Sequence, residues 1–217
     1  MQYDAALINY WPIENDLVDL IGGMNLISLG SAVMTTDRSG KANGALRVVD
    51  APSSYRFPSS VYFSGDFTII GWLRPLSCSS TSVLTFIDCG NGRDNDNVLF
   101  AYSCSAICQP YACAVWGGVW QNNWLSSVDT NLLAWNHMAL TQTANTLWMY
   151  VNGAVGVAGV GAGYQVVPNG VVRTQCYLGN TAYAQPPAQA EFDEVRFFNR
   201  ALSAQEVAND YALATPY

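Results

Sequence analysis

The chain has 217 residues, half of them hydrophobic and 12% charged, and carries a net charge of −7 at pH 7. That length suits one large β-domain spanning residues 1–217, and the apolar fraction is enough for a sizeable core. The acidic balance, with Lys41 the single lysine, excludes the basic face that nucleic acid or an anionic membrane surface requires.

Glycine-broken strands fill residues 1–50, interrupted at Gly22-Gly23, Gly30 and Asn43-Gly44, and Ala45–Val49 is the clearest of them. Residues 50–58 hold Pro52 and Pro58 and read as a loop ending in a short edge strand. Ser64–Pro75 is a strand, followed by a Ser/Cys loop at 77–82. Val83–Asp88 and Val98–Tyr102 form a hairpin around Gly90–Asn97. Residues 103–130 carry three cysteines with Trp116, Trp120 and Trp124, a segment expected to run as strands or loop. Ala134–Thr141 pairs with Thr146–Val151, and Asn152-Gly153 supplies a type I′ turn into a Gly/Ala/Val-rich strand. Cys176–Gly179 opens the last strand pair. Over Phe192–Phe198, alternation puts Val195 and Phe197 on one face and Glu194, Arg196 and Phe198 on the other. Asn199-Arg200 turns the chain. Ser203 and Glu206 then have capping-box spacing, which starts a helix running to about Tyr211 with Val207 and Tyr211 on one face. No internal repeat, linker or apolar run of membrane-spanning length is visible. The first residues lack the basic segment of a signal peptide, and Asp4 interrupts them, so either a leader has been removed or the chain is made in a cytosol.

Four blocks carry a family resemblance. The last is Asp193-Glu194-Val195-Arg196, Asn199-Arg200-Ala201-Leu202-Ser203 and Glu206. The others are Tyr10-Trp11-Pro12-Ile13 with Asp19, Gly65-Asp66-Phe67-Thr68-Ile69 with Gly71-Trp72-Leu73-Arg74-Pro75, and Trp135–Thr141 with Leu147–Gly153. In this order they resemble the laminin-G-like, concanavalin A-like jelly-roll domains. The resemblance implies an all-β fold, an antiparallel two-sheet jelly-roll sandwich with two sheets of five to seven strands and a short C-terminal helix. It does not choose a function, because the fold hosts lectins, adhesion modules and enzymes.

The triplet Glu191, Asp193 and Glu194 invites comparison with retaining β-glucanases of the related fold. Those carry Glu-x-Asp-x-Glu on one strand, so that period two aligns the carboxylates. Here Val195 stands where the third acid is required and alternation sends Glu194 away from Asp193, so no catalytic residue is expected. The lone His137 reads as a packed, hydrogen-bonded strand residue. The resemblance also implies one structural Ca²⁺ where the first and last strands meet. Matching by position offers Asp193 with Glu14 or Asp19 and carbonyls around Gly22–Asn25. The alternative is that Asp193 and Asp19 bond turn amides. The loop Asn91–Asn97 looks like half of an EF-hand but lacks its glycine and terminal glutamate, and is expected to be solvated.

Six cysteines, Cys78, Cys89, Cys104, Cys108, Cys113 and Cys176, suit disulfides and an oxidising compartment, with the pairing open. Zinc on Cys104, Cys108 and Cys113 with His137, or free thiols, are the alternatives. Trp72, Trp135 and Trp148 match family core positions. Trp116, Trp120 and Trp124, with Asn122 and Asn123 among them, depart from that pattern. Aromatic walls with a few amides are the chemistry of a sugar site, the alternative being a core or interface role. Two functions follow. One is a non-catalytic extracellular recognition or adhesion module, lectin-like, secreted or surface-exposed, whose partner is a carbohydrate or glycoprotein. The other is a structural subunit of an extracellular assembly, such as a virion decoration or surface-fibre protein, whose homo-oligomeric interface buries the extra aromatics.

Overall fold

Period-two runs of apolar residues build two antiparallel sheets that bury one face each against the other. The computed structural model describes residues 3–30, 33–50, 53–77, 83–104, 108–116, 119–125, 128–144, 146–160 and 167–213. The first sheet contains β1 (Leu7–Trp11), β3 (Val33–Thr35), β4 (Ala45–Val48), β6 (Phe67–Pro75), β11 (Asn136–Thr143), β12 (Thr146–Val151), β13 (Ala154–Val160) and β15 (Ala190–Phe198). The second contains β2 (Ile27–Leu29), β5 (Ser54–Phe57), β7 (Val83–Gly90), β8 (Val98–Cys104), β9 (Cys108–Trp116), β10 (Val119–Leu125) and β14 (Gln175–Leu178). The first sheet runs β13-β12-β11-β6-β15-β4-β3 with β1 also beside β15, and the second runs β10-β9-β8-β7-β14-β5-β2. One helix, α1 (Ala204–Ala212), follows β15, and its Ser203–Glu206 capping box is formed in full. This is the jelly-roll sandwich with a C-terminal helix that the sequence predicts.

Three local readings change. Among the described residues the first sheet holds eight strands, one more than expected, and the second holds seven, within the expected range. β5 is an interior strand between β14 and β2 rather than an edge, with Pro58 following its last residue and so outside its ladder. β14 pairs with β5 and β7 in the second sheet, not with β15.

The core between the sheets is aromatic. Phe197 of β15 sits 5.1 Å from the rings of Trp11 and Phe63 and 5.2 Å from Phe57. Opposite β7 the first sheet comes close enough that Gly71 is required: a Cβ there would lie 2.7 Å from the Phe86 ring. Cys89 of β7 and Cys176 of β14 are register partners, both fully buried, and form a disulfide across 87 residues of sequence. A second, smaller apolar cluster lies on the outer side of the first sheet. Leu7, Tyr10, Ile70, Tyr150 and Phe198 pack there under Leu202 and Val207, and this cluster seats α1.

Candidate functional site

β15 crosses the middle of the first sheet, and one of its edges is shared by two strands. β4 runs beside Ala190–Phe192 and β1 beside Val195–Phe198. The ladder to β6 shifts between Asp193 and Arg196, where Glu194 takes a φ of 53°. This is a β-bulge, and it changes which side chains share a face. Phe192, Val195 and Phe197 all point into the core. Asp193 and Glu194 therefore fall together on the outer face, with Glu191 and Arg196. The expectation that Glu194 lies opposite Asp193 is corrected here, since the extra residue of the bulge resets the alternation.

The shared face does not make the acids a catalytic pair open to substrate. Glu191, Asp193 and Glu194 are 3%, 1% and 1% exposed. Glu191 accepts from Arg74 at 3.0 Å and from Thr35 at 3.3 Å. Glu194 Oε2 accepts from the Tyr10 hydroxyl at 2.8 Å. Asp193 lies in a row across three strands, since Trp72 of β6 is the register partner of both Asp193 and His137. The Arg38 guanidinium stacks 4.5 Å above Trp72. Asp193 Oδ2 and Glu194 Oε1 are buried without a hydrogen-bond partner. Burial, then repulsion from Glu194 and Asp37, pushes the Asp193 carboxyl up to about 8 despite Arg38, and burial raises Glu194 as well.

The sign of the linkage follows. The Asp193 carboxyl is harder to ionise folded than unfolded, so its stabilising contribution is complete below the ordinary carboxylate value of ~4 and is lost as pH rises towards 8. One such group changes stability by at most about 1.4 kcal/mol per pH unit. Asp193→Asn is expected to raise the melting temperature by an amount that grows between pH 4 and 8. A difference from the parent that stays constant over that range would count against it.

His137 is fully buried, as expected of a packed strand histidine, and its Nε2 lies 2.8 Å from Asp210 Oδ2 on α1. Burial holds the imidazole below its ordinary value, opposed by the Asp210 bond. Arg196 reaches the same carboxylate through both terminal nitrogens, at 2.5 and 2.9 Å. Burial alone would raise Asp210, but the bonds from His137 and Arg196 outweigh it and hold the carboxyl well below the usual range. The sequence reading missed this latch. Its signal was present: Asp210 follows Val207 by three residues and precedes Tyr211 by one, which places a charge on the buried stripe of the helix.

The three calcium candidates have separate partners. Asp19 accepts from the amides of Tyr10, Ile21, Gly22 and Met24 and from the Asn9 side chain. Glu14 pairs with Lys41, and Asp193 faces the Trp72–Arg38 row. Among the described residues, no group of three or more His, Cys, Asp or Glu side chains is arranged to hold a metal ion. In the loop Asn91–Asn97, Asp94 and Asp96 both take left-handed backbone. There the Asn91 amide bonds the Asn95 carbonyl, and Asn97 Nδ2 donates to the buried Asp88.

Trp116 ends β9, and Trp120, Asn122, Asn123 and Trp124 lie in β10, the last strand of its sheet. Trp120 pairs with Val115 and Trp124 with Ala112, with a register shift between Trp120 and Asn122. The side chains of these five residues lie outside the described set, as do those of Cys104, Cys108 and Cys113; Cys78 lies outside it altogether. Cys104 and Cys108 are register partners across β8 and β9. Of the residues assigned to packing, Trp72 is buried, while Trp135 and Trp148 are only half-buried. Among the described residues, no helix is long and apolar enough to cross a membrane.

The family model of the concanavalin A-like lectin/glucanases superfamily (Laminin_G_3) matches residues 50–208. No curated protein sequence matches closely enough to count as a relative. Among solved structures, domain 4 of AbnA, an extracellular GH43 arabinanase from Geobacillus stearothermophilus in complex with arabinotriose, superposes with a TM-score of 0.72 at 19% identity, covering 97% of this chain and 100% of that one. The binding domain of botulinum neurotoxin serotype G gives 0.69 at 14% identity, over 96% of this chain and 50% of the toxin domain. Trypanosoma rangeli sialidase gives 0.68 at 13% identity, over 96% of this chain and 33% of the enzyme. At these identities the likeness is one of fold. With the sandwich, the bulged DEVR strand and the capped helix all in place, the chain belongs to the concanavalin A-like lectin/glucanase superfamily as a laminin-G-like domain.

Proposed function

We propose that this domain is a non-catalytic carbohydrate-recognition module working outside the cell. The observation that carries the reading is the state of the acid strand. The family contains both lectins and glucanases, and here the three carboxylates of the acid strand, Glu191, Asp193 and Glu194, are buried, each at most 3% exposed. Two facing carboxylates open to a glycosidic bond are what hydrolysis needs. The structures it resembles include an arabinanase domain solved with arabinotriose and a botulinum neurotoxin serotype D domain solved with N-acetylneuraminic acid, which supports a sugar as ligand. The buried Cys89–Cys176 bond supports an oxidising, extracellular setting.

The hairpin β9–β10 is the sugar-contacting element in this reading, through Trp116, Trp120, Asn122, Asn123 and Trp124. Its edge position leaves one side of β10 without a partner strand among the described residues. A glycan array of the purified chain is expected to give selective binding, weakened about tenfold by Trp120→Ala or Trp124→Ala if each ring stacks on a sugar. Folded variants that bind as the parent does would remove the hairpin from the mechanism. A chelator arm tests the calcium expectation: a fall in melting temperature on chelation keeps the ion in the fold, and no change removes it.

The assembly reading is favoured by a different observation. β13 ends the path of its sheet with seven residues, Ala-Val-Gly-Val-Ala-Gly-Val, that carry no charge and no proline. Solitary edge strands are usually blunted with such residues. A blank array together with a discrete oligomer in sedimentation would support this second reading.

A further inference from the structure

Two cavities open on the outer face of the first sheet, on either side of the first turn of α1. One is about 330 Å³ and lies between Tyr3 and Leu213, over Tyr10 and Phe198. The other is about 400 Å³ and lies over Trp148 and Tyr150, beside Thr141, Thr143 and Ala204. Leu202 and Glu206 line both, so the two are neighbouring parts of a cleft with these side chains between them. Each has the volume of a small-molecule site, about 300–1,000 Å³.

The chemistry of the walls selects the ligand. Every charged group lining the first cavity is already matched within the protein. Arg200 pairs with Asp4 and Glu206, and Arg196 pairs with Asp210. Glu206 is the charge lining the second cavity, and both its oxygens are taken, by Arg200 and by Ser203. An ionic ligand would have to break one of these pairs to gain its own. What remains for a ligand is of two kinds. There are apolar faces, from the exposed Tyr3 ring, the half-buried Trp148 ring and the leucines. There are also two neutral polar groups on the rim, the Thr143 hydroxyl, which donates to Asp66 and keeps capacity to accept, and Asn209 Nδ2, whose amide oxygen already accepts from Gln205; the Ser203 hydroxyl is engaged with Glu206. A neutral sugar has the matching surface, with C–H faces for the rings and hydroxyls for the rim. Two cavities in sequence, each with one accessible aromatic ring, fit more than one sugar unit.

We infer that this cleft binds a neutral oligosaccharide, one sugar ring in each cavity, stacked on Tyr3 and Trp148. The inference rests on the carbohydrate reading above but uses none of the residues of the hairpin β9–β10.

Isothermal titration of the full chain with arabinotriose and a panel of other neutral oligosaccharides tests it, with N-acetylneuraminic acid as the charged comparison. A neutral oligosaccharide is expected to bind, and Tyr3→Ala to weaken it about three- to tenfold, as loss of one stacking face would. Trp148→Ala tests the second ring. Because Trp148 also packs on the sheet, Ala204→Trp serves as its control: an exposed helix position whose new ring fills the cavity, with binding expected to be lost while the melting curve is kept. Binding that ignores Tyr3→Ala and Ala204→Trp but disappears with Trp120→Ala or Trp124→Ala overturns the cleft and leaves the module a lectin. Binding of the acidic sugar alone overturns the neutral ligand. No saccharide binding at all overturns both the cleft and the carbohydrate reading.

Discussion

Replacing Asp210 with alanine is expected to destabilise the fold by about 3–5 kcal/mol, the cost of leaving one partner of a buried ion pair alone. Arg196 is 5% exposed and Asp210 8%, so water would solvate the stranded guanidinium poorly. The same change takes the partner of His137 Nε2, whose other ring nitrogen is already buried without a bond. Asp210→Asn is expected to fall short of full rescue, because an amide keeps a hydrogen bond but not the charge. A double variant, Asp210→Leu with Arg196→Met, is expected to recover much of the loss, since an apolar pair removes both desolvation penalties. Urea denaturation measures all three. A single variant as stable as the parent would mean that α1 is held by Leu202 and Val207 alone. The pH dependence has a definite sign. Asp210 ionises more readily folded than unfolded, so its contribution is present above pH ~4 and fades as pH falls below that value. Asp193 acts in the opposite direction above the same pH, which sets the two neighbours of the outer face in opposition.

Removing the Cys89–Cys176 bond is the second large effect. The closed segment spans 87 residues of sequence, and constraint of the unfolded chain by a loop of that size is worth roughly 4–5 kcal/mol. Cys89→Ala with Cys176→Ala is expected to lose about that much, and the parent treated with reductant is expected to approach the variant. Both sulfurs lie in the core between β7 and β14, so reduction should be slow until the protein opens. Mass spectrometry under alkylating conditions checks that the bond exists. Labelling of these two thiols in unfolded, unreduced protein would show that it does not.

The last strand and the helix were legible because their signals are local: an apolar alternation, a turn and a capping box occur within a few residues of one another. The bulge was half legible. Phe192 and Val195 are both apolar and three apart, which breaks period two, but only the split of one β15 edge between β4 and β1 explains why the break falls there. Leu147–Val151 shows the opposite problem. All five residues are apolar, so alternation could not say that Trp148 and Tyr150 face outwards while Leu147, Met149 and Val151 face the core. Arg173 gave no signal at all. It is fully buried in a loop and held by the carbonyls of Asp96, Phe63, Val171 and Asn169, a contact set assembled from segments up to 110 residues away.

Tyr3 and Leu213 border the same cavity, so the first and last of the described residues lie near each other. A circular permutant that joins Leu213 to Tyr3 through a short flexible link and opens new termini at the exposed Arg93, in the β7–β8 turn, would keep every described strand in its sheet. For the same reason the domain suits insertion into a surface loop of another protein. The host chain could leave and re-enter at neighbouring points, and its own fold would scarcely register the guest.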